Sequence, residues 1–216
     1  MSHYVKFTYQ CGRADIEPFH ALAELNACRR KLLELRLIGV DSNGIGFGNL
    51  SVRDGATNNF YITGSATGSL PKLSHTDCVR VVDCDFKKNW LQYEGAAIPS
   101  SESLAHAAIY ESDPAASAVI HCHDSALWAT LLDCAPTTSK SVAYGTPQMA
   151  YEIMLLFETS DVRRKKIFAM GGHESGVVTF GKSLQEALEI LMRAGKGSTS
   201  CVKNASHERI LSRDEG

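Results

Sequence analysis

Two histidines separated by one residue, His121 and His123, follow the short apolar run Ala118 to Ile120. Alternate side chains of an extended strand share a face, so both imidazoles point one way and Cys122 the other. Imidazoles at that spacing can clasp one divalent ion, and Zn²⁺ accepts such nitrogen ligands while keeping a position open for substrate. The pair alone fits two unrelated histidines equally well, because histidine is also a common polar core residue. His173 adds weight as a third histidine past a strand end, after Gly171-Gly172, where glycines let the backbone approach closely. Glu174 follows it, but position 177 is Val177, so the His-Glu-x-x-His helix of a zinc protease is absent.

Pro99-Ser100-Ser101-Glu102 reads as a helix start, with a serine as N-cap and Glu102 in the first turn, where the helix dipole favours a negative charge. Beside a metal this carboxylate is a fourth ligand or a general base; away from one it is an ordinary first-turn glutamate. His106 shares its helix face four residues on and reads as a packing residue.

One motif points elsewhere. Gly176 to Ser183 matches the G-x-x-x-x-G-K-[ST] phosphate loop at every fixed position. Its variable positions are Val177, Val178, Thr179 and Phe180, which prefer extended strand and resist the curl that a phosphate cradle needs. Ser183 also opens a capping box, Ser183-Leu184-Gln185-Glu186. Nucleotide binding there is the weakest of the readings. Gly44-x-Gly46-x-Gly48 lacks the dinucleotide spacing and precedes a strand rather than a helix.

The elements that must position these residues alternate along the chain. Helical spacing of leucines runs from Glu17 to Ile38, with Gly39 placed to close the helix. Strands are expected at Asn49–Arg53, Asn59–Thr63, Cys78–Val82, Ala118–His121, Ile167–Met170 and Val177–Phe180, with a small polar loop over Thr63–Gly68. Asp124 caps a helix running to about Leu132, and Thr146-Pro147 caps another. The meander-like stretch over residues 45–82 predicts an α/β domain of three layers, with a central mixed or antiparallel sheet flanked by helices. One domain is expected over 1–194, followed by a polar tail over 195–216.

Composition excludes other classes. In 216 residues, 44% are hydrophobic and 21% charged, as in an ordinary globular domain. The formal charge of −2 comes without a basic stripe, so nucleic acid is not an expected partner. No stretch approaches 18 apolar residues and Met1 to Gly12 holds no apolar leader, so neither a membrane span nor a signal peptide is expected. Seven cysteines without a Cys-x-x-Cys pair suit reduced thiols, and so a cytoplasmic location.

Taken in order, Gly48-Asn49-Leu50-Ser51-Val52-Arg53, Thr67-Gly68, Pro99-Ser100-Ser101-Glu102 with His106, His121-x-His123, His173 and Gly181 to Ala187 resemble the class II aldolase/adducin family. The resemblance implies that His121, His123 and His173 hold Zn²⁺ (or Mn²⁺ or Co²⁺), with Glu102 as fourth ligand and then catalytic acid/base. It implies that Asn49, Thr67, Gly68, Ser100 and Ser101 cradle a substrate phosphate; Thr63-Gly64 offers the same dipeptide four residues earlier. The implied activity is that of a metal-dependent aldolase-like lyase, acting on a small sugar-phosphate-like ketose through a metal-stabilised enediolate. An epimerase or dehydratase of the same family, or a non-catalytic adducin-like scaffold, are the alternatives. A homotetramer is implied as well. The sequence departs from the pattern twice: only Cys134 to Gly145 lies where family aldolases carry a longer, tyrosine-bearing loop, and no tyrosine follows Tyr151. Tyr144 is the tyrosine left in that interval.

Overall fold

The computed structural model describes residues 6–211, with side chains described for residues 6–197. The elements in chain order are β1 (Thr8–Arg13), α1 (Leu22–Glu34), β2 (Gly39–Val40), β3 (Gly46–Phe47), β4 (Asn49–Arg53), β5 (Phe60–Thr63), β6 (Cys78–Asp85) and β7 (Trp90–Glu94). They continue with α2 (Ser103–Ser112), β8 (Ala118–His123), α3 (Ser125–Cys134), α4 (Pro147–Thr159), α5 (Val162–Lys165), β9 (Ile167–Ala169), β10 (Gly176–Gly181) and α6 (Leu184–Leu211). Eight strands form one sheet in the order β1-β7-β6-β5-β4-β8-β10-β9. Its strands pair antiparallel except β1 with β7, which run parallel, so the sheet is mixed as the meander predicted. β2 and β3 make a separate small hairpin.

Alternation along the strands divides the core into two layers. On one face Phe60, Ile62, Val79, Val119, Val178 and Phe180 pack against α2 and α4. On the other Leu50, Val52, Ala118, Ile120, Cys122 and Val177 pack against α1, α3 and α6. β8 therefore places His121 and His123 on the α2 side and Cys122 in the opposite core, as the period of two requires.

The structure departs from the sequence reading at several places. α1 spans Leu22–Glu34 rather than Glu17–Ile38, and Gly39 lies in β2. The helix is closed three residues earlier by Arg36, a left-handed residue at φ 58°. The amide of Leu37 donates to Leu32 O (2.9 Å) and that of Arg36 to Leu33 O (3.0 Å), a Schellman closure made without glycine. Glu102 is itself the N-cap position of α2, not a first-turn residue, and its side chain makes no capping bond. β1 and β7 are strands that composition did not mark, since β1 is an exposed edge with no apolar alternation to reveal it. β6 extends past Val82 to Asp85 through a register shift between Val81 and Asp83.

Gly176 to Gly181, the apparent phosphate loop, is strand β10, fully buried and paired with β8 and with β9. Its amides belong to the sheet ladder, and in the capping region Glu186 accepts from Lys182 N (2.7 Å) and pairs with Lys166 Nζ (2.6 Å). Nucleotide binding by this motif is thereby ruled out on geometry. α6 runs on through residue 194; the side chains of the expected polar tail lie outside the described residues from 198 onward.

Candidate metal centre

The three histidines meet. His121 and His123 leave β8 on the same face, and His173 comes from the turn after β9, which pairs with β10, the direct neighbour of β8. One ligand nitrogen from each ring lies within 4.8 Å of the other two. The Nε2 atoms of His123 and His173 are 3.0 Å apart. Two nitrogens each about 2.0–2.1 Å from a tetrahedral Zn²⁺ would stand about 3.3 Å apart, so the rings already sit near ligand spacing. The turn that delivers His173 needs its glycines. A Cβ on Gly172 would lie 1.8 Å from Val142 O, and one on Gly171 2.2 Å from Thr138 O. Loop 138–142 therefore crosses directly over this backbone.

Burial sets the charge state of the site. His121 is 2% exposed and its Nδ1 sits 3.3 Å from Asn49 Nδ2, leaving Nε2 as a buried nitrogen without a partner. Its pKa is held well below the ordinary histidine value, first by burial and then by the imidazoles of His173, His123 and His106. His173 is pushed down to about 3 by burial, with His123 and Lys6 adding to the effect, and burial lowers His123 as well. The neutral imidazole is the form in which histidine binds metal.

Glu102 lines the same cleft as the three histidines, but its carboxylate is not among the ligand atoms that lie within 4.8 Å of one another. It is 3% exposed, and neither carboxylate oxygen has a hydrogen-bond partner. Burial lifts its pKa to about 7, with Lys6 pulling it partly back. A buried, unpartnered carboxylate in the same cleft as three unprotonated imidazoles is costly unless a cation joins them. The donor set fits a divalent ion such as Zn²⁺, whose sites combine histidine nitrogens with a carboxylate oxygen.

Around this centre lies a cleft of about 360 Å³. Its walls include every site residue named from the sequence: Asn49, Thr67, Gly68, Ser100, Ser101, Glu102, His121, His123 and His173. None of its lining residues is Lys or Arg, so an anion there would be held by amides and hydroxyls, as at other backbone-lined anion sites. Thr63, the alternative in the threonine-glycine register, is 2% exposed and its hydroxyl accepts from Leu50 N. Thr67 instead faces the cleft, its hydroxyl donating to Gly64 O at 2.8 Å.

Three features of the cleft were not assigned from sequence. Tyr144, in the shortened loop, lines it and stacks on His173 with ring centroids 4.2 Å apart. Lys6 Nζ lies 3.5 Å from the Tyr144 ring centroid. Arg29, buried at 2% exposure on α1, donates to the carbonyls of Thr67, Gly68 and Leu70 and so pins the loop that carries the threonine-glycine pair. The signal for Arg29 was present, because it interrupts the buried stripe of Leu25, Cys28 and Leu32. A cation there needs acceptors waiting across the core.

The profile of the Class II Aldolase and Adducin N-terminal domain matches residues 36–194. The chain belongs to the class II aldolase and adducin family. Solved members of similar fold include YgbL from Klebsiella pneumoniae, titled a putative aldolase/epimerase/decarboxylase (20% identity, TM-score 0.61, 82% of this chain and 86% of that one). The L-fuculose-1-phosphate aldolase of Thermus thermophilus matches at 18% identity and TM-score 0.59, covering 90% and 96% of the two chains. A sugar-phosphate aldolase from Thermotoga maritima matches at 16% identity and TM-score 0.62, covering 86% and 95%. At these identities the solved structures speak for the class II aldolase fold alone. No curated protein matches the sequence. Among the described residues no helix is long and apolar enough to cross a membrane.

Proposed function

We propose that this class II aldolase-family chain is a divalent-metal-dependent lyase of the aldolase type, acting on a small sugar-phosphate-like hydroxycarbonyl compound. The observation that carries the proposal is the convergence of His121, His123 and His173 with a buried, unpartnered Glu102 in one cleft. His121, His123 and His173 hold the ion, Zn²⁺ or alternatively Mn²⁺ or Co²⁺, and Glu102 is the resting fourth ligand. The bound ion supplies Lewis-acid stabilisation of the negative charge that develops on a substrate carbonyl oxygen.

The remaining work falls to side chains of this chain. Glu102, with a pKa near neutrality, takes and returns the proton next to the carbonyl, the balance a general acid/base needs. Asn49, Thr67, Gly68, Ser100 and Ser101 hold the phosphate end, the two serines from the start of α2, where backbone amides favour an anion. Tyr144 covers His173 and narrows the cleft on the side where the family loop is shortened. The working form is a cytoplasmic homotetramer, closed cyclic assembly being the common solution for sites near subunit contacts.

Cleavage, epimerisation and dehydration share the first proton removal, so the test reads that step. Zn²⁺-loaded protein is incubated with dihydroxyacetone phosphate and a panel of ketose phosphates and hydroxyketones in D₂O. Metal-dependent C–H exchange that is lost in Glu102→Gln supports the proposal. A fully metallated wild type that shows no exchange, cleavage or dehydration across the panel would replace it with a scaffold role.

A further inference from the structure

Behind the metal centre runs a buried polar chain that the chemistry above leaves unused. Tyr110 Oη lies 2.7 Å from Ser51 Oγ, and Ser51 Oγ lies 2.6 Å from His106 Nδ1. All three residues are at or below 1% exposure, so every proton in the chain needs an acceptor within the protein. If His106 Nδ1 carried the proton, Ser51 would have to donate to Tyr110, and the phenol proton would be left without an acceptor. In the other direction Tyr110 donates to Ser51 and Ser51 donates to His106 Nδ1, so both hydroxyl protons find acceptors. The ring then carries its proton on Nε2. That nitrogen is buried and has no partner in the structure.

The acceptors it lacks are one helical turn away. His106 N donates to Glu102 O at 3.1 Å, which stacks the two residues at positions i and i+4 of the same helix face. Both oxygens of Glu102 are also buried and unpartnered. A donor of fixed tautomer and a carboxylate without donors thus stand one helical turn apart, and no hydrogen bond joins them in this structure. We infer that His106 is a positioning residue whose Nε2–H, fixed by Ser51 and Tyr110, holds the Glu102 carboxylate. This rests on the reading of Glu102 as ligand and acid/base. It adds that the tautomer of a residue outside the cleft lining sets where that carboxylate stands, both as a ligand and when substrate has displaced it.

The test uses NMR and metal binding rather than turnover. In metal-free protein labelled with ¹⁵N-histidine, His106 should show the Nε2–H tautomer and a slowly exchanging ring N–H resonance. Ser51→Ala should redistribute the tautomer, and Glu102→Ala should shift the N–H resonance. A wild type in the Nδ1–H form, or a resonance indifferent to Glu102→Ala, overturns the inference. These spectra decide it even if wild type binds no Zn²⁺, an outcome that would sink the metal reading by itself. With Zn²⁺ bound in competition with a chelator, His106→Ala should weaken affinity about 10–100-fold, the usual effect of losing a group that orients a ligand. His106→Gln, which keeps an N–H near the ε position, should recover most of it. Should both variants lower the melting temperature alike and leave Zn²⁺ affinity unchanged, His106 only packs the core. If His106→Ala does not fold, Ser51→Ala and Tyr110→Phe, each lacking one hydroxyl, must show the affinity loss or the inference fails.

Discussion

Glu102→Gln should make the metal-free protein more stable, and by an amount that depends on pH. The unfolded chain releases this proton near the ordinary value of 4.5, whereas the buried carboxyl releases it near 7. Between those values the folded state holds the extra proton, so stability falls as pH rises through the window. One pKa unit corresponds to about 1.4 kcal/mol, so the charged form costs the fold about 3 kcal/mol above pH 7. Glutamine has nearly the same shape and does not titrate. The variant should therefore exceed wild type by about 3 kcal/mol at pH 8, with the gap narrowing to below about 1 kcal/mol at pH 5. For a chain of this length that is about 6–12 °C in melting temperature at pH 8. His121, His123 and His173 act with the opposite sign: their depressed values withdraw stability as pH falls below 6.5, but equally in both proteins, so they cancel in the difference. Differential scanning calorimetry of chelator-treated protein from pH 5 to 8.5 reads the gap directly. Saturating Zn²⁺ should then reverse the order, because wild type gains a fourth ligand that the amide supplies only weakly. Equal melting temperatures at pH 8, or a gap that does not narrow in acid, would refute the assignment of Glu102 as a carboxyl group that burial holds near 7.

Three other outcomes follow from the same geometry. Single His121→Ala, His123→Ala or His173→Ala substitutions should strip most of the metal, which elemental analysis reads as a fall from close to one ion per chain. Tyr144→Phe keeps the ring on His173 and near Lys6 and should leave metal content unchanged, whereas Tyr144→Ala removes the wall and should weaken Zn²⁺ binding; an equal loss in both would assign the role to the hydroxyl, and no loss in either would remove the wall from the site. Gly172→Ala drives a methyl group to 1.8 Å from Val142 O, so it should cost about 2–4 kcal/mol in denaturant unfolding or displace loop 138–142 and reduce metal affinity.

Much of the site was legible in the sequence because its signals are local. His121 and His123 share a face through the period of the strand alone, and the valines and phenylalanine inside the apparent phosphate loop already chose extended backbone over a cradle. The order of the motifs along the chain carried the family, and the meander-like stretch over residues 45–82 carried the layered mixed sheet. What tertiary structure alone decided concerns distances between segments remote in sequence. Pairing of β8 with β10 brings His173 within reach of His123, 50 residues away. β1 became a strand only because β7 offered it an edge, since its own residues are exposed and carry no pattern. Arg36 took the left-handed closure that Gly39 was expected to supply, because the helix ends where Leu37 can return its amide to Leu32. His106 looked like packing because its chemistry depends on Ser51, 55 residues earlier, and Tyr110 meeting in one buried chain. Local periodicity chooses the face on which a side chain stands. Which partner waits on that face, and hence its charge, its tautomer and its ligand, is settled by burial and by the register of neighbouring strands.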